Sequence, residues 1–228
     1  MNNAQRHEKV MRFLRRRNRY QFGQPKSDRV ADGAVACTDT SIQHVVKLAR
    51  DLNVSLNRVR DVSGAPNDTP MDVDEALRAL RFYGLPYEIR RGIHASEVCR
   101  IARQRGPVLI AYRYWSGPQW KGYTYLGQTL KGWAKNDVGK RVYVGFARPL
   151  SRAGLTQTTF RDGHSAYIAT DMWIEGTHYA VMRDHNHNSA SRPERPAYDL
   201  ITMPQLNRML RSWPGESLAL VPTRPVIR

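Results

Sequence analysis

The stretch CTDTSIQHVVKLARDLNVS, residues 37–55, carries the clearest helical pattern in the chain. Its apolar residues recur at spacings of three and four, so they share one face of a helix. They are Ile42, Val45, Val46, Ala49 and Leu52. Residues 38–41 are Thr, Asp, Thr and Ser, all of which suit the start of a helix. We therefore expect Cys37 at or just before the N-terminus of a helix, with His44 largely outside the apolar stripe.

The rest of the chain separates into helices first and strands second. Residues 69–84 predict a helix capped by Thr69, and residues 94–106 predict another, with Cys99 in its apolar stripe. After Gly106 the β-forming runs are PVLIAYRYW, RVYVGFA, HSAYIAT, HYAVMRD and SLALVP. One late helix begins near Thr202, where Thr202 and Gln205 stand at capping-box spacing. This order predicts an α+β fold, with an N-terminal helical half, a C-terminal antiparallel β half and a cleft between them.

Charge is unevenly distributed along the chain. The net charge is +16, and residues 1–30 hold nine Lys or Arg against two acidic residues, a net charge of +7. We predict a basic arm over residues 1–30 and a folded domain over residues 31–228. The arm could bind nucleic acid or an acidic protein, or it could be a solvated basic face. The candidate polyanion-binding residues are Arg12, Arg15, Arg16, Arg17 and Arg19.

A thiol at a helix N-terminus is chemically unusual, because the partial positive charge and free amide groups there favour the thiolate. A histidine in a facing strand could take up the proton, and a carboxylate could orient that histidine. Cys37, His164 and Asp184 occur in this order. His164 opens one predicted strand and Asp184 ends the next. Strands joined by a tight turn place their outer ends side by side, so His164 and Asp184 are predicted neighbours.

The order resembles the papain-like cysteine peptidases, most closely the small bacterial group related to the bacteriocin-leader (double-glycine) peptidases. In that group a Cys opens the first core helix, and a helix and a Gly-Pro-apolar strand follow, as in ASEVCRIARQRGPVLIAYRY at 95–114. A His then opens a strand, like GHSAYIAT at 163–170, and the next strand ends in an Asp turn, like VMRDHNHN at 181–188. DLITMPQLNRML, at 199–210, is similar to the closing segment of the group.

The resemblance covers roughly residues 30–221 and implies a papain-like fold with a Cys37–His164–Asp184 site. It implies hydrolysis of a peptide or amide bond, with a peptide or protein as substrate. The family commonly has a Gln six residues before the Cys as an oxyanion donor, and that position is Ala31 here. Asp32 and Gln24 are the nearby candidates.

Two further positions affect this site. Asn186 could replace Asp184 as the residue that orients the histidine, because an amide can also hold an imidazole. Asp39 lies two residues after Cys37, where a carboxylate would oppose formation of the thiolate.

The histidines admit another interpretation. His185 and His187, with His178, could hold a metal, because His-x-His on an extended segment places both rings on one side. The segment is polar and no cysteine lies near it, so we expect no metal and no cofactor. These three histidines are then structural or solvated.

A non-enzymatic function is the alternative to hydrolysis. A papain-like fold with an idle site could serve as a structural or interaction protein, such as a component of a phage or virus particle, with its arm on nucleic acid or an acidic partner. No apolar run reaches the length of a membrane span, and the basic N-terminus lacks the apolar stretch of a secretory signal. We therefore expect a location in the cytoplasm or within an assembled particle.

Overall fold

The computed structural model describes residues 37–67, 69–115, 132–135, 141–144, 146–147, 160–174, 176–183, 198–211 and 217–226. The helices of this part are α1 (Cys37–Arg50), α2 (Leu56–Ser63), α3 (Val73–Phe82), α4 (Ala95–Arg105) and α5 (Met203–Leu210). The strands are β1 (Tyr87–Arg91), β2 (Val108–Trp115), β3 (Gly132–Lys135), β4 (Arg141–Val144), β5 (Phe146–Ala147), β6 (Phe160–Ile174), β7 (Thr177–Arg183), β8 (Tyr198–Thr202) and β9 (Leu218–Pro222).

The first helix begins where the sequence predicts, at Cys37, but it is shorter than its apolar pattern suggests. It ends at Arg50, and Asp51 then adopts a left-handed backbone with a φ of 55°. The Asp51 amide still donates to the Lys47 carbonyl at 2.9 Å, which closes the last turn. Leu52 therefore lies beyond the helix and is 49% exposed, so its predicted place in the buried stripe is wrong.

Local hydrogen bonds decide where the next two helices begin. The apolar pattern did not predict α2, which starts where the Ser55 hydroxyl accepts a hydrogen bond from the Arg58 amide at 3.0 Å. For α3 the predicted cap, Thr69, is wrong. Asp72 accepts the Glu75 amide at 2.7 Å, and the Glu75 carboxylate accepts the Asp72 amide at 2.7 Å. This reciprocal capping box satisfies two amide groups at once and so outcompetes a single cap three residues earlier.

Among the described strands, seven form one sheet in the order β1-β9-β2-β6-β7-β8-β5. All neighbours are antiparallel except β5 and β8, which are parallel. β3 and β4 form a separate antiparallel pair. β6 runs from Phe160 to Ile174, so His164 lies inside this strand and does not open it as predicted.

The sheet has a hydrophobic cluster on each face. α1, α2 and α3 cover one face, where Leu109 and Tyr167 point. α4 and α5 cover the other, where Ile110 and Ile168 point. Neighbouring residues alternate between the two clusters, because successive side chains of a strand point to opposite faces. The predicted α+β fold is confirmed, and its helices lie on both faces of the sheet. None of the described helices is long and apolar enough to span a membrane.

Candidate active site

Cys37 is the first residue of α1, as the sequence predicts. Its side chain is 8% exposed and forms no disulfide. In the first turn of a helix the backbone amide groups have no carbonyl partner within the helix, and their partial positive charge stabilises an anion. The position of Cys37 therefore suits a thiol that must ionise.

The helix that carries Cys37 packs against the strand that carries His164. The Ser41 hydroxyl lies 3.5 Å from the carbonyl oxygen of Ser165, and further along both elements the rings of His44 and Tyr167 meet edge to face at 6.2 Å. The covering strand also explains why His44, expected outside the apolar stripe, is buried.

These two contacts give the relative direction of α1 and β6. The two chain segments run in the same direction, because Ser41 contacts Ser165 and, further along both, His44 contacts Tyr167. One helical turn back from Ser41, about 6 Å along the axis, lies Cys37. One residue back from Ser165, about 3.3 Å along the strand, lies His164. The two elements that carry Cys37 and His164 therefore pack against each other, and the Cα of His164 lies opposite that of Tyr112 in β2.

A buried ion pair anchors the same turn of α1. Asp39 is 0% exposed and Arg60, in α2, is 1% exposed. Arg60 Nη2 donates to Asp39 Oδ2 at 3.0 Å, and Arg60 Nε lies 3.0 Å from Asp39 Oδ1. Burial raises the pKa of the Asp39 carboxyl, while the charge and hydrogen bond of Arg60 act to lower it. No sequence pattern pointed to Arg60, which stands in a helix that the apolar pattern did not predict.

The other predicted members of the site lie outside the described residues. These are Asp184, Asn186, Asp32 and Gln24, together with the arm residues Arg12, Arg15, Arg16, Arg17 and Arg19. Pairing of β6 with β7 reaches Tyr167 opposite Arg183, and Arg183 directly precedes Asp184 in the chain. The role of Asp184 therefore stays a prediction, as does the oxyanion donor.

The second cysteine lies on the opposite side of the sheet. Cys99 is fully buried, with its sulfur 3.9 Å from the sulfur of Met203. Burial raises the pKa of the Cys99 thiol to about 12; the nearby Asp171 adds to this and Arg103 partly offsets it. The structure thus makes Cys99 an inert structural thiol, as its place in an apolar stripe suggests.

His178 is held by neighbouring side chains of β6. Its Nε2 lies 2.7 Å from Asp171 Oδ2, and its ring stacks on Trp173 with centroids 4.5 Å apart. No group of three His, Cys, Asp or Glu side chains within the described ranges could share a metal ion. His185 and His187 lie outside those ranges, so the expectation of a metal-free protein stays a prediction.

Comparison with known proteins supports the fold. A scan against models of protein families found no match, and a search of curated proteins found none either. Among solved structures, digestive procathepsin L 3 of Tenebrio molitor larval midgut matches with 13% identity and a TM-score of 0.52, over 92% of this chain and 68% of that one. The C39-like peptidase from Bacillus anthracis matches at 10% identity and a TM-score of 0.49, over 91% and 96% of the two chains. ProCathepsin B S9 from Trypanosoma congolense matches at 10% identity and a TM-score of 0.46, over 98% and 76%.

The likeness to procathepsin L 3 shows the fold, and at 13% identity it shows nothing beyond the fold. The chain therefore has a papain-like fold, with a cysteine at the start of the first described helix. Activity has to be argued from the site itself.

Proposed function

We propose that the protein is a cysteine-dependent hydrolase of peptide or amide bonds, in which Cys37 is the nucleophile and His164 the general base. The observation that carries the proposal is the packing of α1, the helix that begins with Cys37, on β6, the strand that contains His164. The papain-like fold supports it, because in that fold a cysteine at this helix start commonly has a catalytic role.

The proposed chemistry proceeds in two steps. His164 removes the Cys37 proton, the thiolate attacks the carbonyl carbon of the scissile bond, and the leaving amine takes the proton from the imidazolium. Water then hydrolyses the thioester, with His164 as the base again, and the acid product leaves. Asp184, or Asn186 in its place, would hold the imidazole in the required orientation. The oxyanion donor is proposed to come from the segment that contains Gln24 and Asp32.

Placement in the bacteriocin-leader group is the finer part of the proposal. It rests on the sequence around Cys37, His164 and Asp184 and on the closing helix, in which Thr202 and Gln205 pair at 2.8 Å as the capping pattern predicts. A member of that group would cleave after a Gly-Gly pair, so peptides with Gly-Gly before the scissile bond are the first substrates to test.

The test combines thiol labelling with hydrolysis. We expect Cys37 to react with iodoacetamide near neutral pH faster than a model thiol, whose pKa is about 8.5. His164→Ala should slow this labelling, and Cys37→Ala and His164→Ala should each abolish hydrolysis. Cys99→Ala is the matched control and should leave both unchanged. Labelling of Cys37 no faster than that of the model thiol, and indifferent to His164, would overturn the proposal and favour an idle papain-like structural protein.

A further inference from the structure

The first turn of α1 contains an acidic side chain close in sequence to Cys37. An unpaired carboxylate there would oppose ionisation of the thiol. Asp39 is fully buried two residues from Cys37. Positions i and i+2 of a helix do not face each other, whereas positions i and i+4 do. Ser41 shares the face of Cys37 and meets β6, while Asp39 faces α2 and Arg60.

Arg60 makes more contacts than a simple counter-charge requires. Besides Asp39, its Nη1 donates to the Thr69 carbonyl at 3.0 Å and to the Pro66 carbonyl. One guanidinium therefore joins the start of α1 to α2 and to the loop that precedes α3. The carboxylate of Glu75, in α3, acts to raise the pKa of the Asp39 carboxyl, whereas Arg60 acts to lower it. Among the described residues, Arg60 is thus the cation that offsets the acid in the first turn.

The Asp39–Arg60 ion pair fixes the orientation of the two side chains, which apolar packing would not do. Hydrophobic side chains could join α1 and α2 without the cost of removing two charges from water. What the ion pair adds is direction, since the guanidinium donates its N–H groups to the carboxylate in a narrow range of geometries. It holds the Asp39 carboxylate on the side of α1 away from Cys37.

We propose that Arg60 is a positioning residue of the Cys37 site, which holds the first turn of α1 and offsets the negative charge of Asp39 so that the thiolate can form. The proposal rests on the proposed function of Cys37. It also answers the objection from the sequence that a carboxylate beside the thiol would oppose ionisation.

The experiment is the pH profile of Cys37 alkylation by iodoacetamide in the full chain, followed by mass spectrometry of the two cysteine peptides. Arg60→Met removes the charge and keeps the length of the side chain. It should raise the midpoint of the profile by about one pH unit, because a buried uncompensated carboxylate repels the thiolate. Adding Asp39→Asn to Arg60→Met removes both charges and should restore the wild-type midpoint. Arg60→Lys keeps the charge but loses the two-point contact with Asp39, so its midpoint should lie between those of the wild type and Arg60→Met.

Cys99 provides an internal test of folding, because a buried thiol is labelled only when the protein opens. Each profile is read only from samples in which Cys99 stays unlabelled. Arg103→Met is the matched control. It removes an equal charge from Asp171, on the other face of the sheet, and should leave the Cys37 midpoint unchanged.

The outcomes separate the two proposals. A wild-type midpoint at or above that of a model thiol contradicts the proposed function. A low wild-type midpoint that Arg60→Met leaves unchanged, in folded protein, contradicts the role of Arg60 and leaves the function standing. If Arg60→Met does not fold, the double variant decides. A low midpoint there supports the role of charge compensation, and a raised midpoint overturns it.

Discussion

At the scale of the residue, the two cysteines differ because their surroundings differ. Cys37 stands at the first residue of α1, next to helix amide groups without helical partners. Cys99 stands in the middle of α4, fully buried in the cluster that α4 and α5 form against the sheet. Removal from water disfavours a charged thiolate, so burial raises the pKa of Cys99 to about 12. The same side chain is therefore suited to chemistry in one place and to packing in the other.

The raised pKa of Cys99 predicts a pH-dependent loss of stability. In the unfolded chain the thiol ionises near 8.5, whereas in the folded protein it stays protonated to about 12. Below pH 8.5 both states hold the proton and the contribution of Cys99 is complete. Between pH 9 and 12 the unfolded state loses its proton first, so the free energy of unfolding should fall by about 1.4 kcal/mol per pH unit because of this group.

Urea unfolding at pH 8, 9, 10 and 11 measures this effect. The difference in unfolding free energy between wild type and Cys99→Ala should shrink steadily above pH 9. Cys37→Ala is the control. Its free energy of unfolding should fall with rising pH as in the wild type, because Cys99 is still present. Curves of wild type and Cys99→Ala that run parallel up to pH 11 would show that the Cys99 thiol ionises normally in the folded protein.

At the scale of the element, short polar contacts set the helix ends. Asp72 and Glu75 form the capping box of α3, and Thr202 and Gln205 pair at the start of α5. The amide of Ala95, which opens α4, instead donates to the Asn207 side chain of α5 at 2.8 Å. The first two starts use residues three apart in sequence, while the third depends on a residue 112 positions away.

Removal of the α3 cap should destabilise the protein measurably. Asp72→Ala leaves the Glu75 amide without its acceptor and should lower the free energy of unfolding by about 1 kcal/mol. Asp74→Ala is the matched control, because Asp74 is an exposed acid of the same first turn and is not the N-cap. Urea unfolding near pH 7 compares the two variants. Equal losses would show that the general negative charge of the turn, rather than the cap, supplies the stability.

At the scale of the whole molecule, the sheet joins segments far apart in the chain. β1 pairs with β9 from Tyr87 opposite Pro222 to Arg91 opposite Leu218. The Thr223 amide continues this contact by donating to the Pro86 carbonyl at 2.9 Å. β9 also pairs with β2, so the last described strand lies between two earlier ones. The cores on both faces of the sheet therefore depend on the C-terminal segment.

The charge of the whole molecule predicts how it binds polyanions. If the arm carries the binding, replacing Arg12, Arg15, Arg16, Arg17 and Arg19 with Gln should weaken DNA binding and flatten its dependence on salt. Each lost phosphate contact lowers the slope of log K against log salt by about 0.9. The measurement is fluorescence anisotropy of a labelled duplex across a range of salt concentrations.

The matched control removes an equal charge from the part of the chain that the structure describes. It replaces five exposed arginines, Arg81, Arg91, Arg100, Arg211 and Arg224, with Gln. If the arm carries the binding, this variant should have nearly the same slope of log K against log salt as the wild type. If both variants weaken DNA binding equally, net charge rather than the arm determines the binding. If the arm variant keeps the wild-type affinity and salt dependence, the charge of the arm only keeps the protein in solution.

The amino-acid sequence alone determined the features that depend on local patterns. Apolar periodicity located α1 with Cys37 at its start, the β-forming runs located most strands, and the Thr202–Gln205 spacing located the start of α5. These features follow from contacts within a few residues, which the order of residues displays directly. The α+β class followed from their order, and the papain-like fold was implied by the resemblance around Cys37, His164 and Asp184.

The tertiary structure alone decided the features that depend on distant segments. It paired Asp39 with Arg60 across two helices, buried His44 beneath β6 and packed α1, which carries Cys37, on β6, which carries His164. A sequence shows Arg60 as one basic residue among many, because its partner depends on how two helices pack. Burial strengthens charge interactions and removes solvation, and burial belongs to the folded chain rather than to any short stretch of it.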